Sequence, residues 1–140
     1  MPKIDAERLQ RFFETEGLDG QGSLLVEEVG EGSARVRLRA RSRHLRPGGT
    51  LSGAALMALA DLAIYAALLG EIGLVPLAVT TSLTINFLRK PPLADVLAEA
   101  RLLKVGKALA FGEIVLMSEG DPRPVAHCTS TYSIPPRPSR

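Results

Sequence analysis

Tryptophan is missing from this 140-residue chain, and phenylalanine and tyrosine together make up only 4% of it. Single-stranded nucleic acid is held on stacking platforms of several exposed rings, so that class of partner is not expected. Cysteine occurs once and histidine twice. One thiol cannot build a disulfide framework, and so few soft ligands fall short of the usual structural zinc sites. No metal or cofactor is therefore expected. No apolar run is read as membrane-spanning, and the charged start Met1-Pro2-Lys3-Ile4-Asp5 does not read as a signal peptide. The expectation is a cytoplasmic chain with no membrane partner. Charge of one sign is lacking too: 17 Lys and Arg against 15 Asp and Glu give a formal +2, which is not a nucleic-acid composition. The nucleophile elbow G-x-S-x-G, the phosphate loop G-x-x-x-x-G-K and a G-x-G-x-x-G after a strand are all absent.

What is present is an ordinary globular composition, 46% hydrophobic and 23% charged, over a length that fits one domain, 1–140. Leu9, Phe12 and Phe13 recur at helical spacing between a capping Asp5 and a stop at Gly17, which predicts a short amphipathic helix within 1–19. The period then changes to two. Ala34 to Ala40 alternates apolar residues with arginine, as a strand wet on one face does, and Leu24 to Val29 is its partner across Gly30-Glu31-Gly32. Ala54 to Leu69 is an apolar block closed by Gly70, with Thr50 or Ser52 near its N-cap; it reads as a helix apolar on every side. Strands follow at Val79–Phe87, Val96–Val105, Leu109–Ser118 and Val125–Ile134. In the first of these, Val79, Thr81, Leu83, Ile85 and Phe87 are expected on one face. Pro135 to Arg140 reads as a flexible tail. Helix, two strands, helix and four strands make an α+β fold, an antiparallel sheet wrapped around one buried helix.

Asp61 stands out as the only charge between Ser52 and Gly70, with no Lys or Arg three or four positions away. A carboxylate on a buried helix needs a partner or a function. The alternative is a helix with one solvent-touching edge on which Asp61 sits. Gly48-Gly49-Thr50-Leu51-Ser52-Gly53 leads into that helix and leaves backbone N–H groups open at the positive end of its dipole, where an oxyanion or phosphate can bind. His127 and Cys128 are neighbours on a strand, so they point to opposite faces and cannot form a nucleophile–base pair. Arg35, Arg37 and Arg39 read as a solvated strand face, whereas Arg41, Arg43 and Arg46 approach a loop and suit an anionic ligand.

Taken together, Arg46-Pro47-Gly48-Gly49-Thr50-Leu51-Ser52-Gly53-Ala54, the following Leu59-Ala60-Asp61 and the stretch from Val79 to Pro91 resemble the hotdog-fold acyl-CoA thioesterases of the PaaI type. The resemblance spans roughly residues 20 to 134. It implies a hotdog fold and hydrolysis of a small or medium acyl-CoA. It places the catalytic carboxylate, as base or nucleophile, on Asp61, the amide that polarises the thioester carbonyl on Gly53, and the hydroxyl beside the carboxylate on Thr80. Arg46 stands where the family has Asn, Ser52 where it has His, and Ala54 where it has a second Gly. Ser52 thereby joins the catalytic set, and these replacements bear on how water and the carbonyl are positioned. Gly49, Thr50, Arg41, Arg43, Arg46, Arg89 and Lys90 are expected to bind the substrate, the cations taking the phosphates of CoA. The resemblance also implies that the strand Ala78–Leu88 pairs with its copy in a homodimer or dimer of dimers, combining Gly53 of one subunit with Asp61 of the other. The alternatives are a hotdog hydratase or dehydratase and a non-catalytic acyl-CoA-binding protein.

Overall fold

A computed structural model describes residues 1–136 of the chain. Helix α1 (Ala6–Thr15) starts where the Asp5 carboxylate accepts the Arg8 amide at 2.9 Å. Leu9 and Phe13, one turn apart, are its buried face. Six strands follow: β1 (Leu24–Gly30), β2 (Ser33–Leu38), β3 (Val79–Phe87), β4 (Val96–Val105), β5 (Leu109–Ser118) and β6 (Pro124–Ser133). They form one antiparallel sheet in the order β1-β2-β4-β5-β6-β3. The sheet curls around helix α2 (Gly53–Ile72), of which twelve residues are buried. The expected α+β hotdog arrangement is the observed one.

Four expectations are corrected. Helix α2 does not close at Gly70 but runs on to Ile72, where Gly73, at φ 92, caps it by donating its N–H to the Leu69 carbonyl. Gly70 is needed for close approach instead: a Cβ there would lie 2.5 Å from Val29 Cγ1. The same helix, at 20 residues and mean hydropathy 1.8, is long and apolar enough to cross a membrane, contrary to the reading that no such run exists. Its burial under the sheet accounts for that apolarity. Strand β2 stops at Leu38 rather than Ala40, because the Arg39 amide turns to the Ser23 carbonyl and the Ala40 amide to the Asp95 carboxylate.

The fourth correction concerns β3. Its pairing with β6 skips a residue between Thr80 and Ser82, so Thr81 is a bulge and the alternation changes parity there. Thr80, Leu83 and Ile85 stand opposite Tyr132, Ser130 and Cys128, all three of which are buried. Thr80 therefore faces inward with Leu83 and Ile85, and Val79 and Thr81 do not share their face. Elsewhere the pattern holds: Cys128 is buried and His127 reaches the Glu113 carboxylate on the outer face. Arg37 is ion-paired with Glu27, Asp95 and Glu119, and Arg35 with Glu27, so these two join a charged network on the outer surface of the sheet. Pro135 and Pro136 carry no regular structure, and the rest of the expected tail, 137–140, lies outside the described residues.

Candidate active site

Helix α2 is not covered on all sides. In its first half Ala54, Met57 and Ala58 are exposed and Asp61 is half-buried, at spacings that make one continuous strip. The solvent-touching edge weighed as an alternative for Asp61 therefore exists, yet its other members are apolar. Beside it Thr80, turned inward by the bulge, donates its hydroxyl to Asp61 Oδ1 at 2.6 Å. That is a short, charge-assisted bond, and the Tyr132 phenol lies against the same carboxylate. No Lys or Arg forms an ion pair with Asp61 among the described residues. The carboxylate opens into a cleft of about 500 Å³ whose walls include Leu62, Tyr65, Ala78 and Tyr132. An anionic oxygen aimed into an apolar cleft is poised to take a proton or to attack a carbonyl carbon.

Tyr132 was not foreseen. It lies under Asp61 and Thr80, stacked on Tyr65 at 5.6 Å between ring centroids, and Tyr65 stacks in turn on Phe13 at 5.7 Å. Burial first, and the Asp61 charge second, hold the Tyr132 phenol well above its usual range, so it stays neutral beside the carboxylate. The signal was available in the period of β6, where Cys128, Ser130 and Tyr132 alternate inward. Tyr65 donates its hydroxyl to the Pro76 carbonyl at 2.9 Å, which fixes the ring at the cleft wall.

A second cleft, of about 180 Å³, opens at the N-terminus of α2 and brings together Arg46, Thr50, Gly53, Phe87, Arg89 and Lys90. Gly53 is the first residue of the helix, and the Phe87 ring packs so closely that a Cβ there would lie 3.1 Å from Phe87 Cζ. The Ser52 hydroxyl is the cap of this helix, accepting the Ala55 amide at 3.1 Å. Gly49, at φ 82, lies in the turn closed by the Arg46 amide on the Thr50 carbonyl, outside the cleft. Three cations beside a helix N-terminus give this cleft a chemistry suited to an anion. Arg89 also donates to the Pro124 carbonyl at 2.7 Å. Arg41 and Arg43 are not part of it. Arg41 is exposed, and Arg43 reaches instead for the Gly20 carbonyl at 3.0 Å and the Ser23 hydroxyl.

Gly53 and Asp61 are eight positions apart on one helix, about 12 Å along its axis. One carbonyl cannot reach both within a single chain. Both histidines are engaged away from Asp61. His44 Nδ1 accepts the Arg41 amide at 2.9 Å, and His127 pairs with Glu113.

Residues 48–125 match the family model described as Thioesterase superfamily. A solved structure from Silicibacter sp. TM1040, described as a "putative thioesterase", is 44% identical, with a TM-score of 0.89 over 97% of this chain and 95% of that one. A variant of the phenylacetic acid degradation protein PaaI from Thermus thermophilus is 28% identical, with a TM-score of 0.75 over 85% of this chain and 99% of that one. Among curated proteins, a "putative esterase" of Thermoplasma acidophilum is 25% identical over 94% of this chain and 98% of its own length.

Proposed function

The chain belongs to the thioesterase superfamily, and from that premise we propose that it hydrolyses acyl-CoA thioesters in a site assembled from two copies of itself. The observation that carries this reading is the Thr80–Asp61 bond at 2.6 Å, which orients a carboxylate at an apolar cleft. Thr80 holds one oxygen, and the carboxylate takes a proton from water as the water attacks the thioester carbon; the tetrahedral intermediate then collapses with cleavage of the C–S bond, and the departing CoA thiolate takes up that proton. The Gly53 amide of the second copy stabilises the oxyanion, with the helix dipole behind it. Ser52 serves by capping that helix end. Arg46, Arg89 and Lys90 take the phosphates of CoA, and Thr50 lines the same cleft.

Two features support the shared site. The separation of Gly53 from Asp61 along α2 demands a second contributor. Strand β3 is an edge of the sheet, with Leu77, Val79, Phe87 and Leu88 about half exposed or more, next to the apolar strip of α2. Such an edge invites pairing with another strand, and a second β3 related by a two-fold axis would cover the strip. A homodimer or dimer of dimers follows. The engagement of both histidines elsewhere favours hydrolysis over the hydratase or dehydratase alternative.

The test is turnover of a panel of acyl-CoAs, from acetyl to decanoyl and phenylacetyl, followed by release of free thiol. Thiol release, lost in Asp61→Asn, is expected. An enoyl absorbance change without thiol would assign the chain to the hydratases. Binding without either would make it an acyl-CoA binder. Single turnover in ¹⁸O-water tests the nucleophile role of Asp61: base catalysis labels only the product acid, whereas label in Asp61 shows that the carboxylate displaced the CoA thiolate to form a mixed anhydride that water then opened at the Asp61 carbon.

A further inference from the structure

Between α1 and β1 the chain makes a loop, residues 17–22, of unusual backbone. Gly17, Gly20, Gln21 and Gly22 all have positive φ, between 58 and 88, and Gln21 is the one non-glycine residue of that kind among the described residues. Gly17, Leu18 and Gly20 of this loop form one wall of the cleft that holds Asp61, facing Ala58, Leu62 and Tyr65 of α2 across it. Leu18, an apolar side chain lining the cleft, is 42% exposed. The loop does not hold its shape through its own contacts alone. The Arg43 guanidinium, from a turn some twenty residues later, donates to the Gly20 carbonyl at 3.0 Å and to the hydroxyl of Ser23, which is 1% exposed. Both bonds come from one nitrogen, Nη2, whose two hydrogens are fixed in the guanidinium plane, so the pair sets position and angle in a way a freely rotating ammonium does less well.

We propose that this loop is the acyl-selecting wall of the site, with Leu18 as the contact that meets the distal part of an apolar acyl chain and Arg43 as the positioning residue that sets how far the wall stands from α2. The proposal rests on the acyl-CoA reading above and adds to it the residues that read the acyl group, an apolar group longer than acetyl. It also gives Arg43 a place other than the phosphates of CoA. Each methylene that enters the cleft improves affinity about fourfold at full burial, so the distance to the wall is read out as a dependence on chain length. Leu18→Trp fills the space and shortens that dependence. Arg43→Gln frees the loop and weakens the long chains selectively, and Arg43→Lys restores part of the loss, since its shorter, freely rotating ammonium keeps the charge but not the fixed plane.

The experiment measures binding of non-hydrolysable S-ethyl-, S-hexyl- and S-decyl-CoA thioethers by calorimetry, alongside kcat and KM for the matching acyl-CoAs. In Leu18→Trp the preference for decyl over ethyl should fall by about tenfold or more. In Arg43→Gln it should fall in the same direction, as a rise in KM for long acyl groups with kcat largely kept. Hydrogen exchange should accelerate at the amides of Ser23 and Leu24, which bond to the Gly20 and Asp19 carbonyls. If Arg43→Gln does not fold, Leu18→Trp, a change at an exposed side chain, decides alone. A chain-length dependence equal to wild type in the folded variants overturns the proposal even if every acyl-CoA is hydrolysed. If the wild type hydrolyses none of the thioesters yet the thioether dependence shifts as described, the hydrolase reading fails and the wall stands.

Discussion

Replacing Asp61 by Asn keeps the size and shape of the side chain, and the structure fixes how the new amide would lie. The Thr80 hydroxyl is a donor 2.6 Å from Oδ1, so the amide turns its oxygen to Thr80 and its NH₂ to the cleft. A group that accepts a proton is thereby exchanged for one that only donates. Loss of a general base costs about 10² to 10⁴ in rate, or about 3 to 5 kcal/mol of transition-state stabilisation. Binding should survive, because the cations of the α2 N-terminal cleft are untouched. Fold should survive as well, since Asp61 is half-buried and its bond to Thr80 is retained. Thr80→Val is the companion test. It removes a hydrogen bond to a charged acceptor, worth about 1.5 to 3 kcal/mol, so kcat should fall by about 10- to 150-fold with KM little changed. The assay is initial-rate release of CoA thiol, with thermal denaturation and sedimentation to verify fold and assembly. A folded, oligomeric Asp61→Asn protein that turns over at the wild-type rate would falsify the assignment and return Asp61 to a solvated helix edge.

Three further outcomes are expected. Gly112→Ala should destabilise the chain by about 1 to 3 kcal/mol in urea denaturation, because a Cβ there would lie 2.6 Å from Ile64 Cδ1 and 2.7 Å from the Arg101 carbonyl oxygen, and the latter is sheet backbone that cannot turn aside. Cys128 should resist thiol reagents in the native protein and react on unfolding, since burial pushes its thiol up to about 11; rapid labelling at neutral pH would show that the core there opens. Burial, then the charges of Arg43 and Arg41, lowers the pKa of His44 from 6.5, so the folded state disfavours its protonation. That contribution is present above about pH 6.5 and is lost as pH falls through the lower folded value, so Tm measured from about pH 8 down to about pH 5 should decline by a component missing from His44→Gln.

The extent to which the fold was legible varies along the chain for physical reasons. Strict alternation in β2 and the apolar block of α2 are strong local signals, and both elements appear, although β2 ends two residues early and α2 runs past its expected stop. The bulge at Thr81 left no such mark. Val79 to Phe87 reads as unbroken alternation, and the change of parity depends on which β6 residue each position meets, a long-range choice. The candidate site was legible in its carboxylate and its helix N-terminus because their chemistry is carried by residue type. It was not legible in Arg43. An arginine in a basic run looks the same whether it awaits a phosphate or closes on a carbonyl, and only the fold brings Gly20 and Ser23 within its reach. Tyr132 lay between these cases, visible in the period of β6 but with no hint of which helix residue it would meet.

The composition of α2 has a consequence during synthesis. The chain is made from its N-terminus, so α2 is complete when only β1 and β2 precede it, and β3 to β6 have still to be translated. At about 5 to 20 residues per second, the sixty-odd residues that supply those four strands take roughly 3 to 13 s. For that interval a helix with the length and hydropathy of a membrane span is without most of its wrapping. A nascent chain arrested once α2, but not β3 to β6, has cleared the ribosome should therefore be a substrate for apolar-binding chaperones and for the machinery that sorts hydrophobic segments. One arrested with enough further sequence for β6 to clear the ribosome should escape both. The carboxylate at Asp61 then has a second effect: it lowers the apolarity of the segment while the segment is still exposed.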